Sequence, residues 1–252
     1  MQIISLLSDW QNQSVYGAWA EAALLSRAAD LRIIELSNQI NNFDLPHAAY
    51  LLNISFAKFP EGTIHINYIE SDKKDKKILI ARAKGQYIIS ANNGFISMLD
   101  DIEKVWFFES VETPFNYINL SADIAKRLST HEAIAEFAKE TKDYLNLNEE
   151  YDKPSLAGNM LTGHIMHVDG FGNLHTNISK SYFDKNIGVK KFTLFLRRHD
   201  THNTLQTHYI DRPETEIVIF FNSSNYMEIA QNRQNAEKLM GMKLGMKVII
   251  EF

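Results

Sequence analysis

The hydrophobic pattern of the first half of the chain predicts alternating strands and helices. Four short apolar runs are typical of buried strands, at residues 3–7, 32–36, 63–69 and 78–83. Helical patterns at residues 15–29 and 45–52 alternate with them, and Asp44 stands where the second helix needs an N-cap. This alternation predicts an α/β fold with a largely parallel sheet covered by helices on both faces.

Two further helical patterns, at residues 123–128 and 131–145, close this half. The polar segment 146–158 follows, and it contains Pro154 and Gly158. Because proline and glycine interrupt both helices and strands, we interpret this segment as a linker.

After the linker, short β-type runs dominate, at residues 163–168, 191–197, 204–209, 216–221 and 246–252. One amphipathic helix is predicted at residues 226–240. The pattern is typical of a small antiparallel β domain. We therefore predict two domains, an α/β domain over residues 1–150 and a β domain over residues 158–252.

The composition is that of an ordinary globular protein, and it removes several function classes. The 252 residues are 45% hydrophobic, carry a net charge of −5 and include no cysteine. Disulfides, thiolate nucleophiles and cysteine-ligated metals are therefore excluded, and a globally basic nucleic-acid surface is not expected. The basic cluster at residues 73–77 is interpreted as a solvated loop. The sequence shows neither a signal-peptide pattern nor an apolar stretch of membrane-spanning length, so we expect a cytoplasmic protein.

Two polar positions follow strands of the first half. Asp9 comes directly after the first strand, where open α/β sheets bind ligands. Its carboxylate can accept both hydroxyls of a ribose or cap the next helix, and its position alone does not separate these roles. Asn-Asn-Gly at residues 92–94 also follows a strand-like run, and such a sequence is more often a simple turn.

The densest motif of the second half lies at residues 168–178. Two glycines bracket Phe171, and glycine lets the backbone approach a ligand closely. Asn173 offers a donor and an acceptor, which match the edge of adenine. The alternative interpretation is a glycine-rich turn with Phe171 in the core.

Other polar clusters have simpler interpretations. The Ser/Asn segment at residues 222–225 is predicted to cap the helix that follows, whose exposed amides could also hold a carboxylate. His164 and His167 lie close together without a carboxylate at metal-ligand spacing, so no metal site is expected.

Four motifs in this order resemble the S-adenosylmethionine hydroxide adenosyltransferase family, which includes the fluorinase and chlorinase enzymes. They are Phe-Pro-Glu-Gly-Thr at 59–63, Asn-Asn-Gly at 92–94, Phe-Gly-Asn-Leu-His-Thr-Asn-Ile at 171–178, and Asn-Ser at 222–223 with Glu-Ile-Ala at 228–230. The resemblance covers nearly the whole chain. It implies an α/β N-terminal domain, a β-barrel-like C-terminal domain and a homotrimer. The ligand would lie between the N-terminal domain of one subunit and the C-terminal domain of the next, with no metal or other cofactor.

The resemblance also assigns ligand-binding positions. Asp9 matches the ribose-binding aspartate, Asn173 the adenine-reading asparagine, and Asp169 the carboxylate near the methionine amino group. The other substrate-binding residues that it implies are Phe43, Asn93, Phe115, Phe171, Tyr209, Ser223 and Asn232.

The reaction positions depart from the family's pattern. Glu70 replaces the aspartate of the family's Asp-Pro-Gly-Val-Gly segment, Lys77 replaces an arginine, and Asn116 stands where a histidine belongs. Glu70 is the expected residue for orienting water, with Lys77 tuning its charge and Asn116 as a neutral hydrogen-bond partner. Lysine lacks the planar fork of arginine, and asparagine cannot change its protonation state.

The predicted activity is hydrolysis of S-adenosylmethionine to adenosine and methionine, by attack of water at the ribose C5′ carbon. The main alternative is a non-catalytic protein that binds adenosyl ligands on the same fold. Two further alternatives rank below it. They are a different nucleoside-processing reaction and nucleic-acid binding through the lysine loop.

Overall fold

In the computed structural model, the chain divides into two units, Met1–Tyr151 and Asp152–Phe252. The structure describes residues 1–71, 77–109, 116–147, 153–197 and 200–252. Each unit has a hydrophobic core of its own. Among the described residues, every helix is too short or too polar to cross a lipid bilayer.

The first unit is built on a mixed sheet of seven strands. They are β1 (Gln2–Leu7), β2 (Leu31–Ser37), β3 (Ile64–Asn67), β4 (Lys77–Ala83), β5 (Gln86–Ala91), β6 (Ile102–Glu109) and β7 (Lys139–Glu140). Their order is β2-β1-β3-β5-β4-β6-β7, with parallel pairing from β2 to β5 and antiparallel pairing beyond. The predicted α/β fold with a largely parallel core is confirmed.

Helices cover both faces of this sheet. They are α1 (Tyr16–Leu25), α2 (Leu45–Ser55) and α3 (Tyr117–Ser129). Helices α1 and α3 share one core with Ile78 and Ile80 of β4, whereas α2 packs on the other face with Leu79 and Ala81. Successive residues of a strand point to opposite faces, so the continuous apolar run of β4 serves both cores.

Helix α2 begins where the sequence predicts. Oδ1 of Asp44 accepts a hydrogen bond from the backbone N–H of His47 at 3.0 Å, which satisfies one of the free amides of the first turn. Pro46 follows in that turn, where proline is tolerated.

The helix predicted at residues 131–145 is wrong. After His131, whose φ is +58°, the chain forms one turn of 3₁₀ helix (Ile134–Glu136) and then the edge strand β7. Strand β7 pairs with Trp106 and Phe107 of β6, and Ala138 is buried in the core. The helix-favouring composition of this segment is overridden by these tertiary contacts.

The second unit is an antiparallel sheet of eight strands that forms a half-barrel. They are β8 (Ser155–Ala157), β9 (Met160–Val168), β10 (Leu174–Ser179), β11 (Thr193–Arg197), β12 (Asp200–His202), β13 (Ile217–Phe221), β14 (Tyr226–Gln231) and β15 (Lys247–Glu251). Their order is β12-β11-β15-β9-β10-β14-β13, and β8 pairs with β9. Helices α4 (Lys180–Asn186) and α5 (Ala236–Met240) pack on it. The predicted antiparallel β fold of this half is confirmed.

Residues 226–240, predicted as one amphipathic helix, instead form β14 and α5. Strand β14 lies between β10 and β13 and is buried from Met227 to Gln231, so it lacks the polar alternation that marks a strand in a sequence. Oδ1 of Asn235 then caps the short α5 through the backbone N–H of Lys238, at 2.7 Å.

One other prediction in this half is wrong. Residues 204–209 do not form a strand, because the carboxylate of Asp211 accepts hydrogen bonds from the backbone N–H groups of Thr207 and His208 and closes a turn. Within the predicted linker 146–158, residues 155–157 form strand β8. Residues 148–152 of that linker lie outside the described residues.

Candidate functional site

Asp9 lies two residues after the end of β1 and holds the backbone of a distant residue. Its Oδ2 accepts a hydrogen bond from the N–H of Phe43 at 2.9 Å. Helix α1 begins only at Tyr16, after the N-cap residue Val15, so Asp9 does not cap it. Phe43 adopts a φ of +65°, which is rare for an aromatic residue, and its side chain is 68% exposed. The structure therefore ties the carboxylate of Asp9 to the backbone of a residue whose ring is exposed, and the role of Asp9 in binding ribose stays a prediction.

Asn93 fixes the backbone at the predicted reaction position. Its Nδ2 donates to the carbonyl oxygens of Ile69 (3.0 Å) and Glu70 (3.3 Å), and its Oδ1 accepts from the N–H of Phe95 (3.1 Å). Asn93 is 1% exposed, so these bonds lie inside the unit. Glu70 has a φ of +49°, a strained conformation of the kind that clusters at functional sites. Asn93 thus supports Glu70, and the predicted contact between Asn93 and a ligand is untested.

Lys77 and Asn116 are held on different faces of the first sheet. The Nζ of Lys77 lies 3.9 Å from the carboxylate of Asp143 and 5.4 Å from the ring centre of Phe107, which packs on the α2 face. Asn116 stands at the start of α3, which covers the other face, and its Oδ1 accepts from Nδ2 of Asn119 at 2.6 Å. The predicted ligand residue at position 115, Phe115, lies outside the described residues.

The loop between β9 and β10 is built around Asp169. Its Oδ1 accepts hydrogen bonds from the backbone N–H groups of Phe171 and Asn173, and its Oδ2 accepts from Nδ2 of Asn173, each at 2.9 Å. Phe171 is 79% exposed, so the interpretation that places it in the core is wrong. Asn173 is buried, and its amide supports Asp169, while its predicted role in reading adenine is untested.

Three ionisable side chains meet beside this loop. His175 of β10 is directly opposite Glu228 of β14, and its Nδ1 lies 3.7 Å from Oε2 of that glutamate. On the other side of the ring, Nε2 lies 3.6 Å from Oδ2 of Asp169. One atom of each residue lies within 4.8 Å of the others. Because the two carboxylates approach opposite ring nitrogens, the geometry suits an imidazole between two anions better than one shared metal ion, which would bind one nitrogen. The absence of a metal from the reaction stays a prediction.

Tyr209 and Asn222 hold the carboxylate of Glu228, which is 2% exposed. The hydroxyl of Tyr209 donates to Oε1 at 2.5 Å, and Nδ2 of Asn222 donates to Oε2 at 3.2 Å. Burial, followed by the hydrogen bond to Glu228, raises the pKa of Tyr209 far above its ordinary value, so Tyr209 remains a donor. Its ring packs edge-on against Phe220 at 4.8 Å between centroids.

The two other predicted ligand residues lie in different surroundings. Ser223 is exposed in the turn between β13 and β14, whereas Asn232 is buried and donates from Nδ2 to the carbonyl of Arg212 at 2.8 Å. The segment 222–225 does not cap a helix as predicted. It is a hairpin turn, closed by the N–H of Asn225 donating to the carbonyl of Asn222 at 2.8 Å.

Comparison with known protein families shows to which family the chain belongs. The model of the SAM hydroxide adenosyltransferase N-terminal domain matches residues 4–138, and the model of the C-terminal domain matches residues 163–249. The chain belongs to the SAM hydroxide adenosyltransferase family.

Two related proteins match this member of the SAM hydroxide adenosyltransferase family over nearly its whole length. It is 22% identical to the (R)-S-adenosyl-L-methionine hydrolase of Methanocaldococcus jannaschii over 263 residues, which cover 96% of this chain and 93% of the relative. It is also 22% identical to the enzyme of the same name from Thermus thermophilus, over 98% of this chain and 99% of the relative.

Two solved structures share the fold. An uncharacterized conserved protein from Thermotoga maritima superposes with a TM-score of 0.87, and a conserved hypothetical protein from Thermus thermophilus with a TM-score of 0.69. Each is 20% identical, and each comparison covers 99% of this chain and 100% of the other.

The sequence did not indicate His175, Glu228 or Asn222 as site residues. His175 and Glu228 meet only because β10 pairs with β14, and the sequence pattern predicts a helix where β14 lies. The polar residues at alternate positions of 173–177 were the available signal for β10, but they do not identify the partner strand.

Proposed function

We propose that this member of the SAM hydroxide adenosyltransferase family binds S-adenosylmethionine and hydrolyses it to adenosine and methionine. The observation that carries the proposal is the carboxylate of Asp9, which lies beyond the carboxyl end of a central parallel strand and is bound by the backbone N–H of Phe43, a residue with an exposed ring. The hydrolases from Methanocaldococcus jannaschii and Thermus thermophilus support it, because their similarity spans both units.

In the proposed reaction, the oxygen of water forms a bond to C5′ while the C5′–S bond breaks. The electron pair of that bond returns to sulfur, which leaves as the neutral thioether of methionine, and the attacking water loses a proton. The leaving group needs no activation, so the protein has to align water opposite sulfur and accept or relay the proton. Glu70 is the proposed residue for this role, since Asn93 fixes its backbone. Lys77 is proposed to tune the charge of Glu70, and Asn116 to act as a neutral hydrogen-bond partner, with the two approaching from opposite faces of the sheet. The reaction as written requires no metal or redox cofactor.

The ligand is proposed to contact Asp9, Phe43 and Phe115 from the first unit of one subunit. From a second subunit of a homotrimer it would meet the second-unit residues Asp169, Phe171, Asn173, Tyr209, Ser223 and Asn232. Support for assembly comes from the start of α1, where the N-cap residue Val15 and the helix residues Tyr16 and Trp19 are 57%, 48% and 57% exposed. Adjacent exposed apolar side chains of this size mark interaction surfaces. We place the protein in the cytoplasm, acting on a small molecule and not on nucleic acid.

Incubation of the pure protein with S-adenosylmethionine tests the activity. Chromatography should show adenosine and methionine in equal amounts, and water labelled with heavy oxygen should place the label in the 5′-hydroxyl of adenosine. Binding without any release of adenosine would instead support a non-catalytic adenosyl-ligand-binding protein. Light scattering should give about three times 29.0 kDa for the assembly, and a monomer that still binds the ligand would contradict the shared site.

A further inference from the structure

A chain of hydrogen bonds in the second unit determines which nitrogen of His175 carries its proton. Oδ1 of Asn222 accepts from the backbone N–H groups of Ser224 (3.0 Å) and Tyr226 (3.3 Å). Backbone amides can only donate, so the oxygen of the Asn222 amide must face them and its nitrogen must face the other way.

The nitrogen of Asn222 then meets two acceptors. Nδ2 lies 3.2 Å from Oε2 of Glu228 and 3.2 Å from Nδ1 of His175. An amide nitrogen has two hydrogens and can supply one to each. Nδ1 of His175 therefore accepts, and the proton of the neutral ring is on Nε2.

Nε2 of His175 points toward Asp169. The Nε2 atom is buried and has no hydrogen-bond partner within the described part of the chain, and Oδ2 of Asp169 lies 3.6 Å away. Asp169 is otherwise held by Phe171 and Asn173, and it forms no ion pair with a lysine or arginine among the described residues. Its side chain is 25% exposed, so a ligand can reach it. Neutral donors thus orient the carboxylate, and a cationic group of a ligand is the partner that suits it.

We propose that His175 is a positioning residue, oriented by Asn222, that aligns Asp169 to receive the primary ammonium group of the amino-acid end of the ligand. This inference rests on the proposed function, because the ligand must carry both an adenosyl group and an ammonium group. Glu228 helps to hold the Asn222 amide by accepting its second hydrogen, and the hydroxyl of Tyr209 donates to the same carboxylate. The further groups around the ring are the His167 imidazole, at 5.4 Å between centroids, and the Asn222 amide.

The test compares two ligands that differ in the ammonium group. S-adenosylhomocysteine carries the amino-acid end but has a neutral thioether, so displacement at C5′ does not consume it, and adenosine lacks the amino-acid end. Calorimetry should show that His175→Ala binds S-adenosylhomocysteine about tenfold more weakly than wild type, the size of one modest polar interaction, because Asp169 loses its 3.6 Å contact with Nε2. Its affinity for adenosine should stay within about twofold of the wild-type value.

Conservative variants separate positioning from folding. His175→Gln places an amide donor near the Nε2 position and should recover most of the affinity for S-adenosylhomocysteine. Asn222→Asp keeps the acceptor for Ser224 and Tyr226 but cannot donate to Nδ1, so it should reproduce the ligand-selective loss. His164→Gln, on the adjacent strand β9, is the matched control and should bind both ligands as wild type does.

The outcomes distinguish this inference from the function on which it rests. If wild type binds neither ligand, the proposed function fails, and the role of His175 fails with it. If wild type binds both, and His175→Ala weakens both equally or neither, the proposed function stands and the positioning role is overturned.

Discussion

The backbone N–H of Phe43 donates a hydrogen bond to Oδ2 of Asp9 at 2.9 Å, although 34 positions separate the two residues. The bond ties the loop before α2 to the end of β1 and leaves the ring of Phe43 exposed. A carboxylate and an exposed ring at the carboxyl end of a parallel strand suit a nucleoside, and the first prediction concerns this pair.

Asp9→Ala should weaken binding of both S-adenosylmethionine and adenosine by roughly 1.5–3 kcal/mol, the range for hydrogen bonds to a charged group. Both ligands carry the ribose, so both should lose affinity alike in calorimetry. Asp44→Ala is the control, because it removes the carboxylate that caps α2. The control should lower the free energy of unfolding by about 1 kcal/mol and leave affinity unchanged. Equal affinity of Asp9→Ala and wild type would exclude the ribose assignment.

The two glycines that flank Phe171 should respond differently to alanine. Gly172 has a φ of +81°, and a Cβ there would lie 2.2 Å from Nδ2 of Asn235, the residue that caps α5. A Cβ added at Gly170 would have no atom within 4 Å. Gly172→Ala should therefore lower the free energy of unfolding by about 1–3 kcal/mol, from backbone strain and loss of the cap, whereas Gly170→Ala should change it by less than about 0.5 kcal/mol. Chemical denaturation measures both, and similar values would show that the loop adapts without cost.

A buried histidine in the first unit should make stability depend on pH. Nδ1 of His65 contacts Oγ of Ser5 at 2.5 Å, and Nε2 contacts Oε1 of Gln86 at 2.7 Å. Burial lowers the pKa of His65 to about 4, and the hydrogen bond to Gln86 opposes this only in part. Between pH 6.5 and about 4, His65 binds a proton in the unfolded chain but not in the folded chain. The contribution of His65 to the free energy of unfolding is therefore complete above this pH window and falls as pH decreases through it.

The free energy of unfolding should fall by about 2 kcal/mol from this residue between about pH 7 and about pH 5, since one pKa unit corresponds to about 1.36 kcal/mol. Burial also lowers the pKa of His47, which adds to the slope of wild type. The informative quantity is therefore the difference in slope between wild type and His65→Gln in denaturation curves at several pH values. Parallel slopes would show that His65 titrates normally in the folded protein.

The sequence predicted the fold class because both halves carry strong local patterns. The apolar run of β4 and the Asp44 N-cap are local signals, and the structure contains the elements that they predict. The failures occur where tertiary contacts decide. Strand β14 is buried on both faces, so its alternation is lost, and β7 forms only because β6 offers an edge. Neither condition can be read from a window of residues.

The candidate site was predictable to a smaller extent. The motif resemblance identified Asp9 and Asp169 as ligand-binding residues. In the structure, the carboxylates of both residues accept hydrogen bonds from backbone N–H groups. The resemblance could not give the environment of Asp169, because Asn222 and His175 lie 47 positions apart and meet through the pairing of separate strands. It also assigned Asn93 and Asn232 to the ligand. The structure shows their amides holding backbone carbonyls, and their contact with a ligand stays a prediction.

Glu70 is the residue on which the proposed reaction depends most directly. Asn93 and the left-handed backbone of Glu70 fix where its side chain starts, and this side chain is one methylene longer than the aspartate that the family pattern has there. We expect the longer carboxylate to reach a water that a histidine at position 116 would otherwise contact. Glu70→Gln keeps the shape and removes the charge, so we expect turnover of S-adenosylmethionine to fall on the order of 10²-fold or more, with nearly unchanged affinity. Release of adenosine under saturating ligand measures this, and equal turnover of wild type and Glu70→Gln would remove Glu70 from the mechanism.

Asn116→His supplies the complementary test, because it adds a group that can accept a proton at the start of α3. A gain of turnover in Asn116→His over an inactive wild type would mean that the chain binds its ligand without the reaction, since the fold would still hold the site and lack only the proton acceptor.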